Sequence, residues 1–341
     1  MEYSEIPFWL STLFMLAGLA AIAWSSDVFV GGAAALARAL GISPFIVGMV
    51  VIGFGTSAPE LCVSVMSGFA GHANLSLGNA YGSCVFNIAV ILGVAALIMP
   101  LVVRPSVALV AGPGLVGISI FSYAILRDGF CTRVEASILL AAFLVLLPLY
   151  CWFDQATKRS APAPKAAEGD AGRPKGLVRP LAKVVVGLAG LAVSSHFLIW
   201  GAVDFARYLG VSDLVIGLTI VAAGTSLPEL ASAVASARRG ENEFVLGNII
   251  GSNLFNTLAV VGLATVIQPL VPGADGPTAF SPYVLSRDLP FVAGLSLTIL
   301  LFGLNWRSWR SPGVISRWKA MLWLISFAAY MAIALLQEVR H

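Results

Sequence analysis

The sequence is poor in charge: only 11% of its 341 residues are Asp, Glu, Lys or Arg, while 58% are hydrophobic. Soluble domains carry about 25% charged residues, so this deficit excludes an ordinary water-soluble domain. The net charge of +3 is small, and no basic run with interleaved aromatic residues is present. We therefore expect no nucleic-acid partner.

Cysteine is also scarce, and the residues that occur lie in or beside apolar segments, at Cys62, Cys84, Cys131 and Cys151. They form no CxxC pair and show no spacing typical of a disulfide framework or a zinc site, so we interpret them as packing residues. No apolar segment combines a nucleophile with a base or carries a pair of metal-ligating histidines. These absences argue against an enzyme and against a bound cofactor, and no obligate protein partner is evident.

The sequence is dominated by long runs of apolar residues. The stretch 1–7, before the first run, carries no Lys or Arg, unlike the start of a secretory signal peptide, so the first run is expected to remain in the protein. A helix needs about 20 residues to cross a bilayer, which predicts an all-α integral membrane protein with ten transmembrane helices. Their approximate bounds are 7–36, 44–69, 75–100, 105–126, 133–153, 180–208, 213–237, 244–269, 287–304 and 318–336.

The segment 154–179 separates the fifth and sixth runs and is rich in Ala, Pro, Gly and charges of both signs. Because it lacks apolar periodicity, it is predicted to be a flexible linker. Placing this linker in the cytoplasm puts 15 of the 20 Lys and Arg residues on the inner side, which satisfies the positive-inside rule. We therefore expect a multi-pass protein of the cell membrane, embedded in the lipid bilayer, with both termini outside.

The two halves of the sequence repeat each other. Aligning each residue with the one 169 positions later needs no gap from Leu36 to Leu101, and about 27 of those 66 pairs are identical. Five runs separate equivalent positions, and an odd number inverts the second copy across the membrane. The sequence therefore predicts two inverted five-helix units, 1–153 and 180–341, as in secondary transporters. Duplication of a stable helical hairpin is the alternative, but it does not explain why the best-matched positions are polar.

The best-matched stretch is Gly-Thr-Ser-Ala-Pro-Glu-Leu at 55–61, which recurs with Leu in place of Ala at 224–230. Each copy sets a carboxylate, Glu60 or Glu229, in an apolar run, where an ionised group is costly and usually functional. Proline lacks an N–H and clashes with the preceding turn, so we expect each helix to break there and leave carbonyls without helical partners. The candidate carbonyls are those of Gly53, Thr56, Ala222 and Thr225.

A second polar motif follows in the next run of each half. Each copy places Asn, Ser and Asn four residues apart on one helix face: Asn79, Ser83 and Asn87, then Asn248, Ser252 and Asn256. Such side chains can simply hydrogen-bond between helices, which is the structural alternative. Beside the two carboxylates, however, they add neutral oxygens of the kind that suits Na⁺ and Ca²⁺ and suits soft metals poorly.

The two blocks resemble the alpha-repeats of the cation/calcium exchanger superfamily, specifically its prokaryotic sodium/calcium exchanger branch. The pattern GTSxPEL followed by LGNxxGSxxFN occurs twice, and the matched regions cover about 40% of the chain. The resemblance implies that Glu60 and Glu229 are carboxylates shared by Na⁺ and Ca²⁺, which bind as transported substrates. It also implies hydroxyl, carbonyl or amide ligands from Thr56, Ser57, Thr225, Ser226, Ser83, Asn87, Ser252 and Asn256.

Two positions depart from the family pattern. Cys84 stands where the pattern has Asn, which the second copy keeps as Asn253. Asn256 stands where some relatives carry Asp, so that two carboxylates match the charge of one Ca²⁺. We expect a tuned site rather than a lost one. Asp27 and His196, equivalent residues of the first and sixth runs, are expected to serve a structural or gating role.

The resemblance implies a secondary antiporter that exchanges Na⁺ for Ca²⁺, while the long first and sixth helices slide past a core that holds the ions. A Ca²⁺/H⁺ or other cation/H⁺ exchanger on the same fold is the main alternative. That branch carries an acidic residue and a His after its Gly-Asn pair, whereas Ala80–Tyr81 and Ile249–Ile250 stand here, which favours sodium. A channel, which needs a continuous pore, fits proline-broken helices poorly.

Overall fold

A computed structural model of the chain describes residues 8–69, 73–160, 176–208, 222–270, 272–273, 276–277 and 281–339. Nearly all of these residues are helical. The helices are α1 (Phe8–Leu40), α2 (Pro44–Thr56), α3 (Ala58–Phe69), α4 (from Ala73 to Ile98), α5 (Pro105–Leu126), α6 (Arg133–Ser160), α7 (Val178–Tyr208), α8 (Ala222–Gly224), α9 (Leu227–Arg238), α10 (Asn242–Ile267), α11 (Val284–Gly303) and α12 (Arg317–Val339).

Eight of these helices are long and apolar enough to cross a membrane, and the bent pair α2 and α3 makes a ninth span if it is taken as one. The protein is therefore an all-helical, multi-pass membrane protein, as predicted. The count of ten is not reached within the described residues. The predicted seventh span, 213–237, falls partly on residues 209–221, which lie outside them, so that only its later part, α8 and α9, is described.

Helix α6 is longer than the sequence predicted. The linker was expected to begin at Asp154, but the helix continues through that residue to Ser160. The Asp154 side chain is buried, and its Oδ1 accepts a 2.8 Å charge-assisted hydrogen bond from Arg104 Nη2. Arg104 Nε also lies 2.7 Å from Glu243 Oε1. This ion-pair cluster anchors the end of α6 to the starts of α5 and α10, which explains why the helix does not end at the polar boundary.

Two helices form the interior of the bundle. In α10, 83% of the apolar stretch is buried, and in α4 the share is 67%, against 17% for α12. These two helices carry the Asn-Ser-Asn motifs. Their central position therefore surrounds the polar motifs with protein on most sides, which is where intramembrane polar groups can be satisfied.

Helices α1 and α7 form a second, very long pair. The backbone of Gly18 faces Leu198, and the backbone of Gly187 faces Phe29, both so closely that a Cβ would collide. The contacts run in opposite directions along the two helices, so the pair is antiparallel. Gly18 and Gly187 are 169 residues apart, as are Phe29 and Leu198, so each contact is the repeat counterpart of the other.

The strands are short and lie outside the spans. Strand β1 (Leu101–Val103), after α4, pairs antiparallel with β4 (Gly313–Ile315), before α12, in the register Leu101↔Ile315. Strands β2 (Pro272–Gly273) and β3 (Gly276–Pro277) pair in the loop before α11. The β1–β4 pair ties an end of the central helix α4 to the last span.

Candidate cation site

Both Pro-Glu motifs, at 59–60 and 228–229, lie at helix breaks. Helix α2 ends at Thr56 and α3 begins at Ala58 with a bend of 45°, and Ser57 has the non-helical angles φ −82° and ψ 7°. In the second copy α8 ends at Gly224 and α9 begins at Leu227, and Ser226 has φ −91° and ψ 10°. Each proline is the second residue of its new helix, where its missing N–H costs nothing. The predicted breaks are confirmed.

The two carboxylates are bound by serines of the opposite repeat. Ser57 Oγ donates a 2.7 Å hydrogen bond to Glu229 Oε1, and Ser226 Oγ donates a 3.0 Å bond to Glu60 Oε1. Both glutamates are fully buried. Ser57 and Ser226 are repeat counterparts, as are Glu60 and Glu229. The carboxylates thus occupy one shared site built from both halves of the chain.

The serines of the central helices complete this network. The Oγ atoms of Ser57 and Ser252 are 2.9 Å apart, and those of Ser226 and Ser83 are 3.4 Å apart. These two contacts are again counterparts. The structure therefore brings together both GTS elements and one residue of each Asn-Ser-Asn motif.

The Gly53 carbonyl departs from the prediction. It was expected to lack a helical partner, but the Ser57 amide donates to it at 3.2 Å, and Ser252 Oγ donates to it at 3.1 Å. The bond from the Ser57 amide is the ordinary one between residues four apart in an α-helix, and the N–H that Pro59 lacks would have reached the carbonyl of Gly55 rather than that of Gly53. A π-helical turn over Gly48–Gly53 immediately precedes the break. Such turns are frequent at functional sites. Ala222, the corresponding residue of the second copy, begins α8.

The first Asn of each motif supports the glutamate backbone. Asn79 Nδ2 donates to the Glu60 carbonyl at 3.3 Å, and Asn248 Nδ2 donates to the Glu229 carbonyl at 3.4 Å. Thr56 Oγ1 lies 3.4 Å from Asn248 Oδ1 and donates to the Ile52 carbonyl at 3.0 Å. The two Asn side chains therefore join the helix that follows each break, α3 or α9, to the central helix of the same half.

Two supporting serines were missed by the sequence reasoning. Ser64 Oγ lies 3.3 Å from Asn79 Nδ2, and Ser232 Oγ lies 3.2 Å from Asn248 Nδ2. Ser64 follows its glutamate by four residues, but Ser232 follows its own by three, so the repeat alignment does not pair them. Their helical spacing from the glutamates was the available signal.

Several buried polar atoms around these hydrogen bonds have no hydrogen-bond partner within the described part of the chain. They are the second carboxylate oxygens Glu60 Oε2 and Glu229 Oε2, the amide oxygens Asn87 Oδ1 and Asn256 Oδ1, the amide nitrogens Asn253 Nδ2 and Asn256 Nδ2, and Thr225 Oγ1. An unpaired buried polar atom costs about 1–3 kcal/mol. Most of these atoms are hard oxygens, which fit a bound Na⁺ or Ca²⁺.

The chemistry of this donor set suits a hard cation better than a soft metal. Among the described residues there is no group of three or more His, Cys, Asp or Glu side chains that could hold a metal ion. The polar groups of the site are two carboxylates together with neutral hydroxyl, amide and carbonyl oxygens. Asn87 and Asn256 both lie in π-helical turns, Asn87–Leu92 of α4 and Phe255–Val260 of α10.

A cavity of about 620 Å³ extends from both breaks to helix α7. Thr56, Pro59, Thr225 and Pro228 line its inner end, and His196 lies among the apolar α7 residues on the other side. Asp27 lines a smaller cavity of about 230 Å³ between α1 and α9. The long helix pair α1 and α7 therefore borders the site region on two sides. Asp27 lines one of these cavities and His196 the other, and the structural or gating role expected for them stays a prediction.

A multi-pass helical bundle with two carboxylates buried between its helices is the architecture of a cation transporter. Comparison with known proteins gives the family. The family model described as "Sodium/calcium exchanger protein" matches residues 10–152 and 180–336. The putative antiporter CaxA of Alkalimonas amylolytica is 37% identical over 320 residues, which cover 94% of this chain and 97% of the relative. The sodium/calcium exchanger MaX1 of Methanosarcina acetivorans is 28% identical over an alignment of 363 positions, gaps included, that covers 94% of this chain and 97% of the relative.

Among solved structures, the sodium-calcium exchanger NCX_Mj, soaked with 2.5 mM Na⁺ and 10 mM Sr²⁺, superposes with a TM-score of 0.77 at 29% identity, covering 96% of this chain and 99% of the other. The chain belongs to the sodium/calcium exchanger family. Its family and fold are those of cation/Ca²⁺ antiporters, whose substrates are Na⁺ and Ca²⁺. The resemblance stated from the motifs is confirmed.

Proposed function

We propose that the protein exchanges Na⁺ for Ca²⁺ across the cell membrane by alternating access, with both ions competing for Glu60 and Glu229. The observation that carries this proposal is the reciprocal pair of serine–glutamate hydrogen bonds, which leaves one oxygen of each buried carboxylate without a partner. Two uncompensated carboxylates in a low-dielectric interior are costly, so the site is favoured only when cations occupy it. Ion competition for this one pair couples the two fluxes.

The remaining ligands of the proposed site are neutral oxygens. They come from Thr56, Ser57, Thr225, Ser226, Ser83, Asn87, Ser252 and Asn256 and from the carbonyls of Gly53 and Ala222. With two negative charges, the site balances one Ca²⁺. Exchange moves net charge if more than two Na⁺ replace that ion.

The proposal also includes the arrangement of the chain in the membrane. The units 1–153 and 180–341 are two inverted five-helix repeats, the chain between α6 and α7 is cytoplasmic, and both termini are outside. The reciprocal contacts in the site and between α1 and α7 are those that a two-fold relation between the halves produces. This relation supports alternating access, because an inverted repeat can exchange conformations with its partner.

Transport into proteoliposomes tests the proposal. Vesicles loaded with Na⁺ and diluted into Na⁺-free buffer with labelled Ca²⁺ should accumulate Ca²⁺, and Glu60→Gln or Glu229→Gln should abolish uptake. Glu135→Gln is the matched control, since Glu135 accepts hydrogen bonds from Thr132 at the start of α6. Undiminished uptake in both site variants contradicts the site assignment.

The same vesicles test the alternative of proton coupling. Two buried carboxylates could carry protons in place of Na⁺, so a pH gradient is imposed with Na⁺ absent on both sides. We expect no Ca²⁺ accumulation under this condition. Uptake driven by the pH gradient alone would instead assign a Ca²⁺/H⁺ exchanger on the same fold.

A further inference from the structure

One hydrogen bond between the two central helices has no reciprocal counterpart. Asn87 Nδ2 donates a 3.1 Å hydrogen bond to Asn253 Oδ1, which joins the two central helices α4 and α10. The repeat counterpart of Asn87 is Asn256, and that of Asn253 is Cys84. The reciprocal bond would therefore join Asn256 to a side chain that has no carboxamide.

Within the described part of the chain, the Asn256 side chain therefore has no such partner. The side chain is fully buried, yet neither Nδ2 nor Oδ1 has a hydrogen-bond partner among the described residues. Cys84 makes different contacts: its Sγ lies 3.5 Å from Thr257 Oγ1 and 3.8 Å from the Asn253 carbonyl. The counterpart of Thr257 is Ile88, which has no hydroxyl, so this thiol contact also lacks a reciprocal partner.

The difference matters for cation binding. Asn253 Oδ1 accepts a hydrogen bond from Asn87 Nδ2, and this bond fixes the orientation of the Asn87 carboxamide. The Asn87 Oδ1 atom has no partner among the described residues, so it is an available acceptor. A carboxamide fixed in this way can meet a cation without further ordering. No described residue fixes Asn256 in the same manner, so the entropy cost of ordering its side chain falls on the step in which the ion binds.

We propose that Asn253 is a positioning residue that holds Asn87 ready for the cation, and that Cys84 leaves the equivalent ligand Asn256 unheld. The two halves of the site then bind the ion unequally, and Cys84 keeps the cation affinity below what this scaffold can reach. This inference rests on the proposed function, because it assigns unequal roles to two of its ligands.

The variant Cys84→Asn supplies the missing carboxamide. It should lower the Ca²⁺ concentration for half-maximal uptake by roughly three- to tenfold, the scale expected from ordering one side chain in advance. Ca²⁺ titration calorimetry on the purified protein in Na⁺-free buffer gives a second readout. Cys84→Ala removes the thiol without adding an amide, so Cys84→Asn must bind Ca²⁺ more tightly than Cys84→Ala.

A double-mutant cycle separates positioning from improved packing. In the Asn256→Ala background, Cys84→Asn should give no gain, because the side chain to be held is missing. A gain that persists without Asn256, or a Cys84→Asn variant that binds no more tightly than Cys84→Ala, overturns the inference.

The mirror variant covers the case in which Cys84→Asn does not fold. Asn253→Cys leaves the carboxamides of Asn87 and Asn256 without a holding hydrogen bond and should weaken Ca²⁺ binding by a similar factor, whereas unchanged affinity overturns the inference.

Failure of the proposed exchange function would give a different result. If the wild-type protein shows neither Ca²⁺ binding nor Na⁺-dependent uptake, the exchange function itself is wrong, and this inference falls with it.

Discussion

Ser57 donates a 2.7 Å hydrogen bond to Glu229, a residue of the opposite repeat and 172 positions away in sequence. The counterpart bond, from Ser226 to Glu60, is 3.0 Å long. Neither half of the chain therefore completes its own carboxylate environment. The site exists only when both halves are folded together.

The two serine hydroxyls should contribute about equally to Ca²⁺ binding. A hydrogen bond to a charged group contributes about 1.5–3 kcal/mol, so Ser57→Ala and Ser226→Ala should each weaken apparent Ca²⁺ affinity by roughly ten- to a hundredfold. Ser119→Ala is the matched control, because Ser119 is buried but donates to Leu115 of its own helix α5. Unequal losses that differ by more than tenfold would contradict a symmetric role.

Helix α10 crosses α2 at a glycine. A Cβ on Gly251 would collide with the backbone of Met49, including its carbonyl oxygen, which cannot move without disturbing the π-helical turn. Gly251→Ala should therefore destabilise the protein by about 1–3 kcal/mol and lower its melting temperature in detergent.

Gly117→Ala in α5 is the control for that variant. A Cβ at Gly117 meets no atom within 4 Å in the described part of the chain. Since Ala favours a helix over Gly by about 1 kcal/mol, this change should leave the melting temperature equal or higher. Equal destabilisation by both variants would show that the close helix crossing is not the cause.

Arg239 connects the core helix α9 to α1. Its Nη2 donates to the Asp27 carbonyl at 3.0 Å and pairs with the Asp27 carboxylate at 3.3 Å. The Asp27 side chain is 64% exposed, so the ion pair itself contributes less than about 1 kcal/mol. Asp27→Asn should therefore change stability little, whereas Arg239→Ala also loses the backbone bond and should cost more.

The functional readout of this contact is the rate of exchange. If α1 moves against α9 during transport, Arg239→Ala should change the maximal rate of Na⁺-dependent Ca²⁺ uptake and leave the apparent Ca²⁺ affinity unaltered. Arg239→Lys keeps a charged donor and should lie closer to the wild type. A change in affinity with an unchanged rate would place the effect at the ion site instead.

Glu241 should make stability depend on pH. It lies in the loop between α9 and α10, and burial raises the pKa of its carboxyl, an effect that Arg239 and Arg38 partly oppose. A raised pKa means that the folded state favours the protonated carboxyl. The contribution of Glu241 to the free energy of unfolding is therefore fully present in acid, below the ordinary pKa of a carboxyl group. It is lost as the pH rises through the raised pKa.

Glu241→Gln should consequently raise the melting temperature near neutral pH and give no gain in acid, in a series from about pH 4 to pH 8. Glu135→Gln is the control: this residue bonds the Thr132 amide and hydroxyl, a capping interaction that Gln can retain. A gain from Glu241→Gln that is independent of pH would rule out its ionisation as the cause.

Some features of the molecule follow from local sequence alone. The helix breaks at Ser57 and Ser226 could be predicted because proline removes a donor whatever surrounds it. The membrane location followed from the length of the apolar runs, and the shared faces of the Asn and Ser residues followed from helical periodicity. The end of α6 was misjudged, since the pairing of Asp154 with Arg104 depends on a residue 50 positions away.

The 169-residue repeat determined which residues are equivalent, but it could not show which of them touch. Only the tertiary structure decided that each serine donates to the glutamate of the other half and that the Gly53 carbonyl keeps a helical partner. It also decided that Asn87 donates to Asn253, while the Asn256 side chain has no hydrogen-bond partner among the described residues. The physical reason is that hydrogen bonds across the interface depend on how two helices approach. The effect of Cys84 in place of Asn on the contacts of Asn256 could be recognised only once the packing of α4 against α10 was known.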